Sequence, residues 1–194
     1  MLTNEGMIRI FEETEGIKKG HFQLASGRHA DTYMQCAKLF MYPDKSRLLC
    51  KELAERLTNK EQIEFVASPA IGGIIMGYEM AAQLKVPNIF LERIDGKLTM
   101  RRGFSFAAGT KFLVVEDVVT TGGSVFETIE EIERFGGVVV AVACIVDRSN
   151  GKVDFMRPLT ALLSLDIISY DKTDCPLCKE GIELTKPGTK ALGK

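Results

Sequence analysis

Residues 112–125 read FLVVEDVVTTGGSV, and the fold turns on this stretch. Phe112, Leu113, Val114 and Val115 form an unbroken apolar run. Such a run marks a strand buried on both faces of a parallel sheet, whereas a strand with one wet face alternates. Glu116 and Asp117 follow at once, then Val118 and Val119, then Thr120, Thr121, Gly122 and Gly123. Ser124-Val125-Phe126-Glu127 has the S-x-x-E spacing of a capping box and predicts a helix opening there. A strand thus delivers a loop, and the loop feeds a helix N-terminus. Unpaired N–H groups and the helix dipole favour an anion at that point. Glycines let the backbone approach a phosphate with no Cβ in the way. The adjacent carboxylates repel phosphate but accept hydrogen bonds from sugar hydroxyls. Phosphate on one side and a ribose diol on the other make a sugar-phosphate site.

Outward from this stretch the alternation continues. Residues 124–135 read as a helix closed by Gly136-Gly137, and 138–146 and 160–165 as strands. Upstream, 63–68, 88–92 and 111–115 read as strands and 74–84 as a helix. Pro43 starts a helix through about Leu57, with Leu48, Leu49, Leu53 and Leu57 facing inward. Strands alternating with helices predict an α/β fold, a parallel β-sheet flanked by helices. Residues 3–15 predict a helix capped by Thr3 or Asn4, with Met7, Ile10 and Phe11 on one face and Gly16 just past its end. Residues 20–40 predict two short strands around Ser26-Gly27-Arg28, a small N-terminal hood at the sheet's edge or mouth. A chain of 194 residues is expected to make one domain: helix and hood over 1–42, α/β core over 43–168, and a polar tail over 169–194 that packs on the surface and frays at its end.

A formal net charge of -1 gives no global field to recruit nucleic acid. No apolar run reaches membrane-spanning length. The acidic, helical N-terminus does not read as a signal or transit peptide, so the cytoplasm is expected, with the five cysteines reduced. Cys50 and Cys144 read as core, Cys36 as core or pocket wall. Cys175-Pro176-Leu177-Cys178 supplies half a zinc site. The chain has no second pair, and His21 and His29 are remote in sequence, so two structural thiols and no metal ligand are expected. His29, beside Arg28, is a candidate substrate contact.

Two further loops follow strands. Ser68-Pro69-Ala70-Ile71-Gly72-Gly73 leads into a helix and offers a second anion position by the same argument. Residues 94–109, IDGKLTMRRGFSFAAG, are long for a connection in a compact α/β domain and carry Lys97, Arg101 and Arg102, which predicts a basic lid.

The run VVEDVVTTGGS, 114–124, resembles the phosphoribosyl pyrophosphate (PRPP) signature of the type I phosphoribosyltransferases. The resemblance implies that Val118, Val119, Thr120, Thr121, Gly122, Gly123 and Ser124 hold the 5′-phosphate, Glu116 and Asp117 the ribose diol, and Ala70, Ile71 and Gly72 the pyrophosphate. It also implies Mg2+ as cofactor, and a homodimer in which the basic lid reaches the neighbouring subunit's site. Three features resemble the orotate phosphoribosyltransferases within that family. SGRHADTYMQC looks like their S-G-R segment and hood, which brings in Arg28 and Tyr33. The basic loop follows Arg93, where those enzymes have their lid, and implies that Lys97, Arg101 and Arg102 neutralise the leaving group. Val146-Asp147-Arg148 resembles their D-R, with Arg148 forking onto the orotate carboxylate. The implied partners are PRPP and orotate. The chain departs from the family pattern at Ala25 and Gly72, where lysines are common, at the lid, and at Tyr33-Met34 in the hood. A transferase for a purine or other base, or a PRPP-sensing regulator without turnover, shares the same phosphate site.

Overall fold

In a computed structural model, which describes residues 2–24 and 26–187, six strands form the core sheet. They are β3 (Phe65–Pro69), β4 (Asn88–Ile94), β5 (Lys97–Met100), β6 (Lys111–Val119), β7 (Val138–Asp147) and β8 (Leu159–Ser164), in the order β5-β4-β3-β6-β7-β8. All neighbours are parallel except β5, which turns back on β4 with Ile94 opposite Lys97. The expected strand 111–115 is longer than its apolar run. Pairing with β7 continues through Glu116 opposite Cys144 to Val119 opposite Asp147, so the acid pair lies on the strand itself. The chain runs from β3 outward to β4 and β5, then crosses back to β6 on the other side of β3. That reversal leaves a crevice beyond the carboxyl ends of β3 and β6, the place where open α/β sheets bind ligands.

Helices α2 (Pro43–Arg56) and α3 (Gly73–Leu84) cover one face of the sheet and α4 (Gly123–Arg134) the other. Leu49, Leu53, Met76 and Met80 meet Leu113 and Val115 on the first face, and Ile129 and Ile132 meet Phe112 and Val114 on the second. Both faces being covered is why β6 reads as a continuous apolar run. Of the leucines expected to face inward from α2, Leu49, Leu53 and Leu57 are buried, but Leu48 is exposed. At 3.6 residues per turn, 49, 53 and 57 share a stripe that 48 leaves.

The N-terminal helix, α1 (Asn4–Glu13), is capped by Thr3, whose Oγ1 accepts from Gly6 N at 3.1 Å, and it buries Met7 and Phe11 as expected. The hood is an antiparallel hairpin of β1 (Ile17–Gln23) and β2 (His29–Met34). A 3-10 turn over Cys36–Met41 follows it. The tail corrects the expectation of a surface appendage. It contributes β9 (Ser169–Tyr170) beside β2 and β10 (Leu184–Thr185) beside β1, joined through a short helix, α5 (Pro176–Lys179), giving a sheet of order β10-β1-β2-β9. Ala25 and the fraying expected at the chain end, 188–194, lie outside the described residues.

Candidate active site

Residues 118–125 and Glu116 line a cavity of about 140 Å³ at the end of β6. The helix behind it opens differently from the S-x-x-E reading. Gly122, not Ser124, is the residue before the first turn, with φ 76, and Glu127 makes no cap. The left-handed φ suits glycine, and so does the space: a Cβ there would lie 2.8 Å from Val153 Cγ1 and 2.9 Å from Phe155 Cε1. Phe155 is itself buried against Phe126, so the segment after β7 supports the loop from beneath. No sequence signal pointed to that support.

The pyrophosphate-loop candidate meets the acid pair. Gly72 precedes α3, and a Cβ on it would stand 3.2 and 3.3 Å from the two carboxylate oxygens of Asp117. The peptide between Ala70 and Ile71 is cis, and the Ile71 side chain is 86% exposed. Any side chain at position 72 would press on the Asp117 carboxylate, which would have to give by a few tenths of an ångström. Asp117 Oδ1 accepts from Val118 N at 2.9 Å, and the Cys36 thiol faces Asp117 O at 3.9 Å, which makes Cys36 a buried wall of the site. Burial, with the Asp117 carboxylate beside it, holds the Glu116 carboxyl far above the usual carboxylate range. A pair that resists carrying two charges alone is suited to receive hydroxyls or a cation.

Arg148 follows β7, and its N–H donates to Val119 O at 2.8 Å, which places it beside the PRPP-loop candidate. Its Nε is buried with no hydrogen-bond partner among the described residues, and burial pulls the guanidinium below its ordinary value. An anion reaching this position would supply the acceptor that the chain itself does not.

The remaining candidates have partners of their own within the chain. Arg93 pairs with Glu127 through both terminal nitrogens, at 3.0 and 3.1 Å, and so is engaged by α4 rather than by either phosphate loop. Glu127 also accepts from Leu98 N at 3.0 Å, and Glu131 from Met100 N at 2.9 Å. These bonds pin β5 to α4, so Lys97 stands on an anchored strand and not on a free lid. Arg102 forks onto Glu92 at 2.7 Å by both bonds, and Arg101 is exposed beside it. Arg28 holds the tail, donating from Nε to Ser169 Oγ at 2.9 Å and from Nη2 to Ser169 O at 2.6 Å. Tyr33 stacks in the hood on Phe22, with ring centres 5.7 Å apart. His29, a candidate substrate contact, is instead buried against His21.

The phosphoribosyl transferase domain family matches residues 44–160. The orotate phosphoribosyltransferase of Caldanaerobacter subterraneus subsp. tengcongensis is 52% identical over 191 residues, covering 98% of this chain and 100% of that protein. The chain belongs to the orotate phosphoribosyltransferase family. Its orotate phosphoribosyltransferase relative in Chlorobium phaeobacteroides is 49% identical over 185 residues, 95% of each chain. The fold is shared more widely. The crystal structure of orotate phosphoribosyltransferase from Aeropyrum pernix superposes with a TM-score of 0.69 at 23% identity, covering 90% of this chain and 98% of that one. Adenine phosphoribosyltransferase from Thermoanaerobacter pseudethanolicus does so with 0.59 at 15% identity, covering 69% and 88%. No helix among the described residues is long and apolar enough to cross a membrane.

Proposed function

We propose that the chain transfers ribose 5-phosphate from PRPP to N1 of orotate, giving orotidine 5′-phosphate and pyrophosphate in pyrimidine biosynthesis. The observation that carries this reading is the buried, unpartnered Nε of Arg148 at the edge of the sugar-phosphate crevice. A purine carries no carboxylate to meet that fork, whereas orotate does. Thr120, Thr121, Gly122, Gly123 and Ser124 clamp the 5′-phosphate with backbone N–H groups and hydroxyls at the start of α4. Glu116 and Asp117 accept from the ribose hydroxyls. Ala70, Ile71 and Gly72 hold the pyrophosphate. As the C1–O bond to pyrophosphate breaks and the C1–N1 bond forms, cationic character grows on the sugar and negative charge on the leaving group. The orotate N1 proton leaves to solvent. With the reactants held in line, catalysis is positioning and electrostatics.

The donor set at the crevice is carboxylate oxygen, which suits Mg2+. That ion keeps most of its waters and binds through one or two carboxylates and substrate phosphates. Glu116 and Asp117 would hold it, and when bound it supplies charge neutralisation on the pyrophosphate. A cytoplasmic location accords with reduced thiols and a soluble substrate. The decisive assay is orotate consumption with PRPP and Mg2+, run beside a panel of purine bases. Turnover with orotate alone is expected; turnover with a purine and none with orotate would overturn the assignment, and saturable PRPP binding without turnover would mark a sensor.

Lys97 opens the edge strand β5, and Arg101 and Arg102 follow that strand. In a homodimer they would serve the neighbouring crevice. Ile71, Ile75 and Tyr78 support it: they present an exposed apolar row at helical spacing along α3 and its entry loop, next to the site. Light scattering should give twice the 21.5 kDa chain mass. Tyr78→Glu should yield a monomer with little activity; an active monomer would exclude a shared site.

A further inference from the structure

We propose that His21, His29, Cys175 and Cys178 form a zinc site that fastens the C-terminal tail to the hood. Their ligand atoms all lie within 4.8 Å of one another. His21 Nε2 is 2.8 Å from His29 Nδ1, 3.5 Å from Cys175 Sγ and 3.7 Å from Cys178 Sγ, and Cys178 Sγ is 3.4 Å from His29 Nδ1. A tetrahedral zinc with ordinary Zn–N and Zn–S bonds sets its donors about 3.3–3.8 Å apart. Three of the four distances already fall in that range, and the two imidazole nitrogens need only part by about half an ångström.

The surroundings fix the histidine chemistry. His21 Nδ1 is 2.8 Å from Ile182 O, so its proton belongs on Nδ1, and Nε2 turns a lone pair toward the cluster. A backbone carbonyl orienting a ligating imidazole in this way is the usual outer shell of a zinc site. His21, His29 and Cys175 are buried, while Cys178 is exposed and gives an ion a path in. Two thiolates balance the dication, so a neutral centre replaces two thiols as two protons leave to solvent. No carboxylate or carbonyl is among the four ligands, which disfavours Mg2+ and Ca2+. Two sulfurs and two nitrogens in a tetrahedron favour zinc.

The placement gives the ion a purpose. The C-x-x-C turn lies between β9 and β10, and these strands flank the β1–β2 hairpin on opposite sides. His21 sits on β1 opposite Leu184 of β10, and His29 on β2 opposite Tyr170 of β9. Each tail strand is two residues long, too short to hold by its ladder alone. One ion bonded to both hood strands and to the turn between the tail strands closes the whole small sheet.

The test is metal analysis of the full chain, purified under reducing conditions from zinc-supplied medium. About one zinc per chain is expected. Chelator-stripped protein should take up Co2+ with intense visible d–d bands and a near-ultraviolet sulfur-to-cobalt band, and its unfolding midpoint should fall by several degrees until zinc is restored. Cys178→Ser changes an exposed side chain, so its circular dichroism should match the parent while its bound zinc drops at least about tenfold. Substoichiometric metal with no cobalt bands, a Cys175–Cys178 disulfide in the freshly purified chain, or copper or iron in place of zinc would each overturn the proposal.

Discussion

Arg148→Ala should raise the KM for orotate by on the order of a hundredfold, with a much smaller change in the KM for PRPP. Truncating one partner of a buried, hydrogen-bonded charge pair costs roughly 2–5 kcal/mol, and a factor of ten is about 1.4 kcal/mol. Arg148→Lys keeps the charge but not the planar fork, so it should lose about tenfold. The thermal midpoint separates this from a packing role. Arg148 Nε bonds to no described residue, so removing the guanidinium breaks no side-chain hydrogen bond of the described chain. The Arg148 N–H bond to Val119 O is backbone and survives the substitution. Stability should hold steady while orotate affinity collapses. A large drop in midpoint with an unchanged orotate KM would make Arg148 a structural residue.

The part of the site carried by one local stretch was legible in the sequence; the parts assembled across the chain were not. The apolar run before Glu116 located the central strand because burial on both faces leaves a continuous hydrophobic signature. The glycines and hydroxyls after it marked the loop that lines the cavity at the end of β6. The same local habit misread Glu127. Three residues after a serine it looks like a cap, but it binds Arg93 and Leu98 N from a hairpin some thirty positions upstream. The strand β5 went unseen because four residues with one strongly buried side chain, Leu98, give a weak alternation, and its anchoring comes from α4. The tail shows the limit most clearly. C-x-x-C was visible, but its partners were on strands about 150 positions earlier, and only the pairing of β9 and β10 with the hood brings the four side chains together. The signal available was two histidines flanking a predicted hairpin turn, separated from the cysteines by distance in sequence but not in space.

Asp117→Asn should lower kcat by on the order of a hundredfold with the fold intact, the scale expected when one preorganised electrostatic contact to a developing charge is lost. The amide retains an oxygen to accept from Val118 N, so the local backbone geometry is kept. Glu116→Gln should act through pH as well. Burial and the neighbouring Asp117 hold the Glu116 carboxyl protonated well above the usual carboxylate range in the free protein. Accepting from a ribose diol is the work of the ionised form, so kcat/KM for PRPP should climb with pH through that raised value, and Glu116→Gln should flatten the climb at a low level. Stability moves the opposite way. A carboxyl whose folded pKa exceeds its unfolded value contributes stability in acid and loses it as pH rises from the unfolded toward the folded pKa. The glutamine variant escapes that loss, so it should unfold at a higher temperature than the parent in alkaline buffer, with the gap closing in acid. Turnover of Asp117→Asn equal to the parent, or a Glu116→Gln variant that keeps the parent's pH profile, would remove the acid pair from the chemistry and leave the cavity at the end of β6 without the sugar contacts proposed for it.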